Sequence, residues 1–339
     1  MATAQSTDVW PGATWPDADP AALGWDLKRL SEVDQMAEEI KSAACVAIHR
    51  GELVWQYGAT SRNFKCHSIR KSILSVLCGE LVEGDALDLD LTLAELGIDD
   101  DAGLTDQERT ATARHLLQGR SGVFLPGAYE SSSFDRIRPT RGSHTPGTHW
   151  FYSNWDFNAV GTIYERAAGR TPFTAFAEDL AAPLQMEDFT IDRCGYLYEE
   201  EISRHPAYLF RMSARDMARF GLLVQRRGRW RDARVVSARW LEESTRRHSE
   251  VGPPFSFTAP GFGFGYMWWV PPTESPFGLR YGEGAVEARG SGGHRLALLP
   301  AWDVVFVHRA NTDDGPRVAD ARIDHLLRVL LTAHPDGPN

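Results

Sequence analysis

The stretch SIRKSILSVLCGELVE, residues 68–83, reads as a buried helix that opens at Ser68 and ends before Gly84. Upstream of it, AACVAIH and ELVWQYG flank a turn at Arg50-Gly51, which predicts a hairpin over 43–58. Before the hairpin, Leu27, Leu30, Val33, Met36 and Ile40 fall at helical spacing within 26–42. Downstream come LDLDLTLAELGI, an acidic DDDAGLTDQE link and a short helix around 106–118 ending at Gly119. Residues 119–150, with a Ser-Ser-Ser run among glycines and prolines, read as a long loop, and loops of that length in compact domains are more often functional than idle. Helices follow near 155–168, 172–182, 213–227 and 237–247. GFGFGYMWWV (261–270), GLRYGE, VEARG, HRLALLP and DVVFVHRA then read as strands of an antiparallel sheet, closed by a helix at 316–333.

The order is strands, a helical block, then strands again. It predicts an α+β fold: an antiparallel sheet flanked by terminal helices, with a mostly helical domain inserted. The sheet part is drawn from 20–67 plus 255–335, the helical part from 68–254, and 1–19 form an N-terminal extension. A cleft at the seam between the two parts is the default place for a site.

A chain of 339 residues can hold one large domain or two intertwined ones. Its 36 basic and 46 acidic residues leave a net charge of −10, which argues against nucleic acid or an anionic membrane as the main partner. Cys45, Cys66, Cys78 and Cys194 form no C-x-x-C pair, and a disulfide framework is not expected. The opening MATAQSTDVWPGATWPDADP lacks the pattern of a secretory signal, and no apolar run reaches the roughly 18 residues of a membrane span, so a cytoplasmic location is expected. Lysine is scarce: Lys28, Lys41, Lys65 and Lys71 are the only four, so arginine supplies almost all the basic charge.

Several familiar signatures are missing: G-x-S-x-G, the G-x-x-x-x-G-K-[ST] phosphate loop and H-E-x-x-H. GFGFG precedes a strand rather than a helix, which removes a dinucleotide reading. His144 and His149 read as surface or core histidines rather than as a metal site, and no metal is expected. What survives is Ser68-Ile69-Arg70-Lys71. Residues three apart share a helix face, so the lysine reaches the serine hydroxyl. A serine hydroxyl needs an adjacent base, and a lysine desolvated by burial can serve where an always-protonated arginine could not. The helix N-terminus adds N–H donors for a developing oxyanion.

Alone, S-x-x-K is a weak signal, arising by chance in roughly one chain in four of this composition. A second element strengthens it: Tyr152-Ser153-Asn154, just before the next long helix. A tyrosine beside an ammonium ionises more easily, so Tyr152 is expected to take the Ser68 proton and later return one to the leaving group. Asn154 is expected to hold Lys71 and a substrate carbonyl, or to cap the helix behind it, two roles that are compatible. The third element is Ala288-Arg289-Gly290-Ser291-Gly292-Gly293-His294. Its glycines permit close approach of substrate to a strand edge and an exposed N–H there, or else simply a tight strand entry.

Taken together, these elements and the runs VAIHRGELVWQYG, RHLLQGRSGV, FYSNWDFNAVGTIYERAAGRT, RMSARDMARFGLLVQRRGRW and GFGYMWWV resemble the β-lactamase-related serine hydrolases. That superfamily includes class C β-lactamases, D-amino-acid peptidases and serine-β-lactamase-type esterases. The Tyr-Ser-Asn-Trp run and the Gly-Gly third motif look most like the branch of esterases and 6-aminohexanoate-dimer amidases. The resemblance implies a β-lactamase/transpeptidase-like fold, an acyl-enzyme on Ser68, Lys71 and Tyr152 as proton handlers, and no metal or organic cofactor. It also makes the Ser291 N–H the candidate second oxyanion donor. Penicillin-recognising members carry Lys-Thr-Gly or His-x-Gly where Ala288-Arg289-Gly290 stands here. Arg289 would replace their cationic anchor only if it points inward, and His294 receives no role.

The expected activity is hydrolysis of a small carboxylic ester or amide, a small-molecule partner met in the cytoplasm. Two alternatives stand beside it: an acyltransferase passing the acyl group to an amine or alcohol, and a catalytically silent binding protein with the same fold. Trp150, Trp155, Trp268 and Trp269 are candidates to line an acyl pocket or to pack in the core.

Overall fold

The computed structural model describes residues 9–16, 18–252 and 260–337. Residues 1–8 of the expected N-terminal extension, and the expected boundary at 254/255, lie outside the described residues.

Eight helices are used below: α1 (Leu27–Glu39), α2 (Ile69–Glu83), α3 (Ala113–Leu117), α4 (Asn154–Ala168), α5 (Pro172–Ala175), α6 (Ala214–Gln225), α7 (Ala238–Thr245) and α8 (Asp320–Ala333). The strands of the main sheet are β1 (Ala44–His49), β2 (Glu52–Gly58), β3 (Ser249–Glu250), β4 (Gly263–Phe264), β5 (Trp269–Val270), β6 (Val286–Gly290), β7 (His294–Leu299) and β8 (Val304–Arg309). They form one antiparallel sheet in the order β2-β1-β8-β7-β6-β5-β4-β3. The hairpin at the N-terminal end thus pairs directly with the last strand, Val46 opposite Val307. Both chain ends build the sheet, as expected for this α+β fold.

Strand alternation decides what each face carries. On β7, Leu296 and Leu298 lie against Gly221 of α6. Arg295, one residue before Leu296, turns the other way, to Asp320 and Asp324 of α8. α1 and α8 pack on each other on that second face, where Trp25 Nε1 donates to His49 Nδ1 at 3.0 Å. α2 and α6 occupy the first face, with the rest of the helical part beyond them.

α2 is buried along Ile69–Gly79 without a break, so it is a central helix and not an amphipathic surface one. Gly79 is there because Trp240 is. A Cβ at Gly79 would sit 2.3 Å from Trp240 Cδ1, and the indole is pinned by its N–H bond to Ser75 O at 2.8 Å. Alanine ordinarily favours a helix by about 1 kcal/mol over glycine, yet Gly79→Ala is expected to destabilise the protein by about 1–3 kcal/mol through overpacking. Denaturant unfolding measures the sign directly.

Several local expectations are corrected. The helix around 106–118 is two pieces, a 3₁₀ turn at Glu108–Thr110 and α3, because Thr112 caps a fresh start by accepting from His115 N. GFGFGYMWWV is strand only at β4 and β5; between them Met267 takes φ 61°, and its N–H bonds to Leu117 O instead of a ladder. GLRYGE forms no strand beyond a single bridge at Arg280. The second half of 172–182 is a π-helical segment, Phe176–Ala181. The stretch 68–254 is not wholly separate from the sheet: α6 packs on β1, β7 and β8, and β3 is a sheet strand. The apolar face of α6 could not be assigned to a layer from sequence because both layers offer apolar partners.

Candidate active site

His67 and Ser68 form the turn into α2. His67 holds φ 48°, a left-handed conformation that costs a non-glycine residue energy and recurs at functional sites. Ser68 sits at the helix start, where serine ordinarily caps, yet its side chain makes no cap hydrogen bond. Its Oγ faces Lys71 Nζ at 2.9 Å, one turn along.

Tyr152 and Asn154 arrive from the other side of the crevice. Ser153 is the residue that caps α4, accepting from Asp156 N at 3.1 Å. Asn154 is therefore not the cap; its amide is committed to the site. Its Oδ1 accepts from Lys71 Nζ at 2.7 Å and its Nδ2 donates to Tyr129 O at 3.0 Å. Lys71 Nζ also lies 2.8 Å from Tyr152 OH. The three side chains expected to converge, Ser68, Lys71 and Tyr152, do converge.

Lys71 is 2% exposed and Tyr152 6%. Burial, with a further push from the Arg70 charge, holds the Lys71 amine well below the usual lysine range, while Glu130 pulls weakly the other way. Burial also pushes the Tyr152 phenol up to about 12, against smaller lowering from its hydrogen bond with Ser68 and from Arg70. A dry crevice thus disfavours both charges, which favours the expected lysine base desolvated by burial and opposes the easier ionisation expected of Tyr152. A neutral amine has two N–H donors and one lone pair. Asn154 Oδ1 can only accept and takes one N–H, so in the neutral form the lone pair is open to a hydroxyl, with Ser68 Oγ at 2.9 Å and Tyr152 OH at 2.8 Å both in reach. Tyr152 is held in place by its ring, stacked on Trp269 at 5.4 Å and edge-on to Phe157 at 5.1 Å.

Of the tryptophans considered for an acyl pocket, Trp155 and Trp268 are fully buried core residues. Trp269 supports Tyr152, and Trp150 packs against Trp269 and Phe264 behind it.

The third motif divides by strand parity. Gly290 faces the site: a Cβ there would lie 2.7 Å from Cys66 O and 3.2 Å from His67 Cβ, so β6 ends against the turn that carries Ser68. Arg289 faces away. Its Nε donates to Glu287 Oε2 at 2.6 Å and its guanidinium carbon lies 4.5 Å from the Phe262 ring centre, on the α8 side of the sheet. The expected support of substrate by Arg289 is therefore corrected, because alternate residues of a strand point to opposite faces. Gly292 and Gly293, at φ 88° and 101°, make the tight turn between β6 and β7. Ser291 is exposed on that turn, and its Oγ accepts from Arg317 at 3.4 Å. Neither the Ser68 nor the Ser291 backbone N–H donates to another group among the described residues. His294 is buried; its Nε2 meets Thr312 Oγ1 at 3.2 Å, and Thr312 also meets His67 Nε2 at 2.7 Å.

Sequence reasoning missed His67, Arg70, Tyr129 and Glu130. Tyr129 OH bonds to His67 Nδ1 at 2.7 Å and its carbonyl orients Asn154. The long loop carrying Tyr129 and Glu130 was the available signal.

Asp156, below the cap, is fully buried with its carboxyl pushed up to about 7 by burial, despite the Ser121 hydroxyl bonded to it at 2.7 Å. A carboxyl whose native value is raised favours folding below the unfolded value near 3.8 and loses that contribution as pH rises to about 7. Asp156→Asn keeps an acceptor for Ser121 and removes the ionisation. Its stability relative to wild type is expected to rise by about 2–4 kcal/mol between pH 4 and pH 8, since each tenfold difference in proton affinity between the folded and unfolded states is worth about 1.4 kcal/mol. Parallel melts across that range check it, and a flat difference contradicts it.

A serine, amine and phenol at the head of a central helix, beside the end of an inner strand of an antiparallel sheet, define the β-lactamase/transpeptidase-like class. The Beta-lactamase family profile matches residues 31–330, and the chain belongs to that family, whose members are serine hydrolases. Similar folds include a Bacillus anthracis protein assigned as a 6-aminohexanoate-dimer hydrolase, 20% identical, covering 93% of this chain and 86% of that one with TM-score 0.69. A Bacteroides dorei protein assigned as a β-lactamase is 17% identical, covering 92% and 99% with TM-score 0.69. EstCE1, described as a hydrolase with promiscuous acyltransferase activity, is 16% identical, covering 91% and 99% with TM-score 0.63. Among curated protein sequences none matches.

Proposed function

We propose that this protein hydrolyses a small carboxylic ester or amide through an acyl-enzyme on Ser68. The observation that carries the reading is the buried Lys71 amine within hydrogen-bond reach of Ser68 Oγ, Tyr152 OH and Asn154 Oδ1 at once. As Ser68 Oγ adds to the acyl carbon, its proton passes to the Lys71 lone pair, and the acyl oxygen takes negative charge. The uncommitted N–H groups of Ser68 and Ser291 are the donors for that oxyanion; one such donor is worth about 3–4 kcal/mol of barrier. On collapse the acyl–leaving-group bond breaks, and the proton returns from Lys71 through the Tyr152 hydroxyl to the departing oxygen or nitrogen. Water then repeats the sequence with Lys71 as base, releasing the acid and restoring Ser68.

With Arg289 turned away and paired, an anionic β-lactam loses the anchor it would need from that position. The expected preference is for esters and linear amides over a cephalosporin. A panel of p-nitrophenyl esters, linear amides and a chromogenic cephalosporin tests this, and faster turnover of the cephalosporin than of every ester and amide contradicts it. Transfer of the acyl group to an amine or alcohol uses the same intermediate, and product analysis with and without added nucleophile separates transfer from hydrolysis.

A further inference from the structure

The other large buried arginines among the described residues make more bonds, although Arg219, Arg295 and Arg309 each leave Nε unbonded and Arg309 takes no carboxylate. Arg295 lies among Glu287, Asp320 and Asp324, Arg219 takes Glu187, and Arg309 gathers the carbonyls of Phe64, Lys65 and Met212. Arg70 is different. It is 1% exposed; Nη2 donates to Asn158 Oδ1 at 2.7 Å, the guanidinium carbon lies 4.3 Å from the Tyr208 ring centre, and Nε and Nη1 donate to nothing among the described residues. No carboxylate partners it there. An uncompensated buried cation is costly, and Arg70 and Lys71 bond Asn158 and Asn154, one turn apart on α4, so the two heads lie along the same stretch of that helix in a poorly screened interior.

We propose that Arg70 is a positioning residue for the Ser68–Lys71 pair: its buried, carboxylate-free guanidinium keeps the neighbouring amine unprotonated, so that the Nζ lone pair remains available to the Ser68 hydroxyl. The proposal rests on the hydrolase reading of the site and names what sets the state of its base.

The other groups around Lys71 are few. The start of α4 contributes Tyr152 and Asn154, with Asp156 further on and bonded to Ser121. The loop over the site contributes Tyr129 and Glu130, whose side chain is 7% exposed, tied to Arg138 and left with one unpartnered carboxylate oxygen. Glu130 raises the proton affinity of Lys71 and Arg70 lowers it, so the two act in opposition. α5 has no titratable residue, and α7 presents Trp240 to α2. On β6 and β7, Glu287, Arg289 and Arg295 belong to the far face, which leaves His294, bonded to Thr312.

The scarcity of lysine makes the test direct. In protein labelled with 13C at the lysine ε carbon, the four lysines give four titrating NMR signals, and Lys71 is identified by its loss in Lys71→Arg. The Lys71 signal is expected to titrate below the other three. Arg70→Met and Arg70→Gln are expected to raise its midpoint by about one pH unit or more, a tenfold gain in proton affinity. Arg70→Lys, which adds a fifth signal but keeps the charge, is expected to hold the midpoint near wild type. An unmoved midpoint in folded Arg70→Met and Arg70→Gln overturns the proposal, as does a wild-type Lys71 that titrates with the other lysines. The readout needs no substrate, so it stands apart from failure of the hydrolase reading, which shows as absent turnover and absent labelling of Ser68.

Discussion

Ser68→Ala is expected to abolish turnover of every ester and amide that the wild type cleaves, a loss of roughly 10⁵-fold or more, while the thermal melt barely moves. The side chain is half-buried, makes no cap hydrogen bond and has Lys71 as its partner, so its removal leaves little packing defect. Without the hydroxyl there is no atom to carry the acyl group, and the remaining N–H donors and the amine can act only on a bound water. Steady-state assays beside circular dichroism make the comparison. Appreciable turnover in a folded Ser68→Ala protein would mean that water is activated directly and that no acyl-enzyme forms.

Lys71→Arg is expected to cost about 10²–10⁴-fold in kcat/KM, the usual worth of a positioned proton acceptor. The substitution separates two accounts of the same residue. Were Lys71 a permanent cation serving the oxyanion, arginine would retain much of the effect. An arginine stays protonated at any working pH and has no lone pair to offer Ser68. The crevice argues for the second account, because Asn154 Oδ1 uses one N–H and burial disfavours the ammonium. Near-wild-type activity in Lys71→Arg would contradict the free-amine assignment. Melts of the variant control for the larger head group, which must fit a position that is 2% exposed.

What could be read from the sequence was local. Ser68 and Lys71 are one helical turn apart, and Tyr152 and Asn154 flank a capping serine, so each pair is fixed by short-range geometry that spacing reports. The convergence of the two pairs is not local, and it was legible through the family pattern that both belong to. Arg289 was readable in principle: β6 alternates, Ala288 and Gly290 share the face of Leu296 and His294, and the residue between them must turn to α8. Arg70 and Glu130 were not readable. Their significance comes from which carboxylates are absent and which charges face one another, and that depends on Tyr208, Asn158 and Arg138 arriving from distant segments. The charge balance at Lys71 and Tyr152 went the same way, since adjacency suggests an ion pair whereas burial of both disfavours the charged forms.

The acyl-enzyme claim is tested most directly by incubating the protein with a fluorophosphonate and mapping the adduct by mass spectrometry. One equivalent bound to Ser68, with none in Ser68→Ala, is the expected result. A folded wild-type protein that takes no label, or takes it on another residue, would contradict the assignment of Ser68 as the nucleophile.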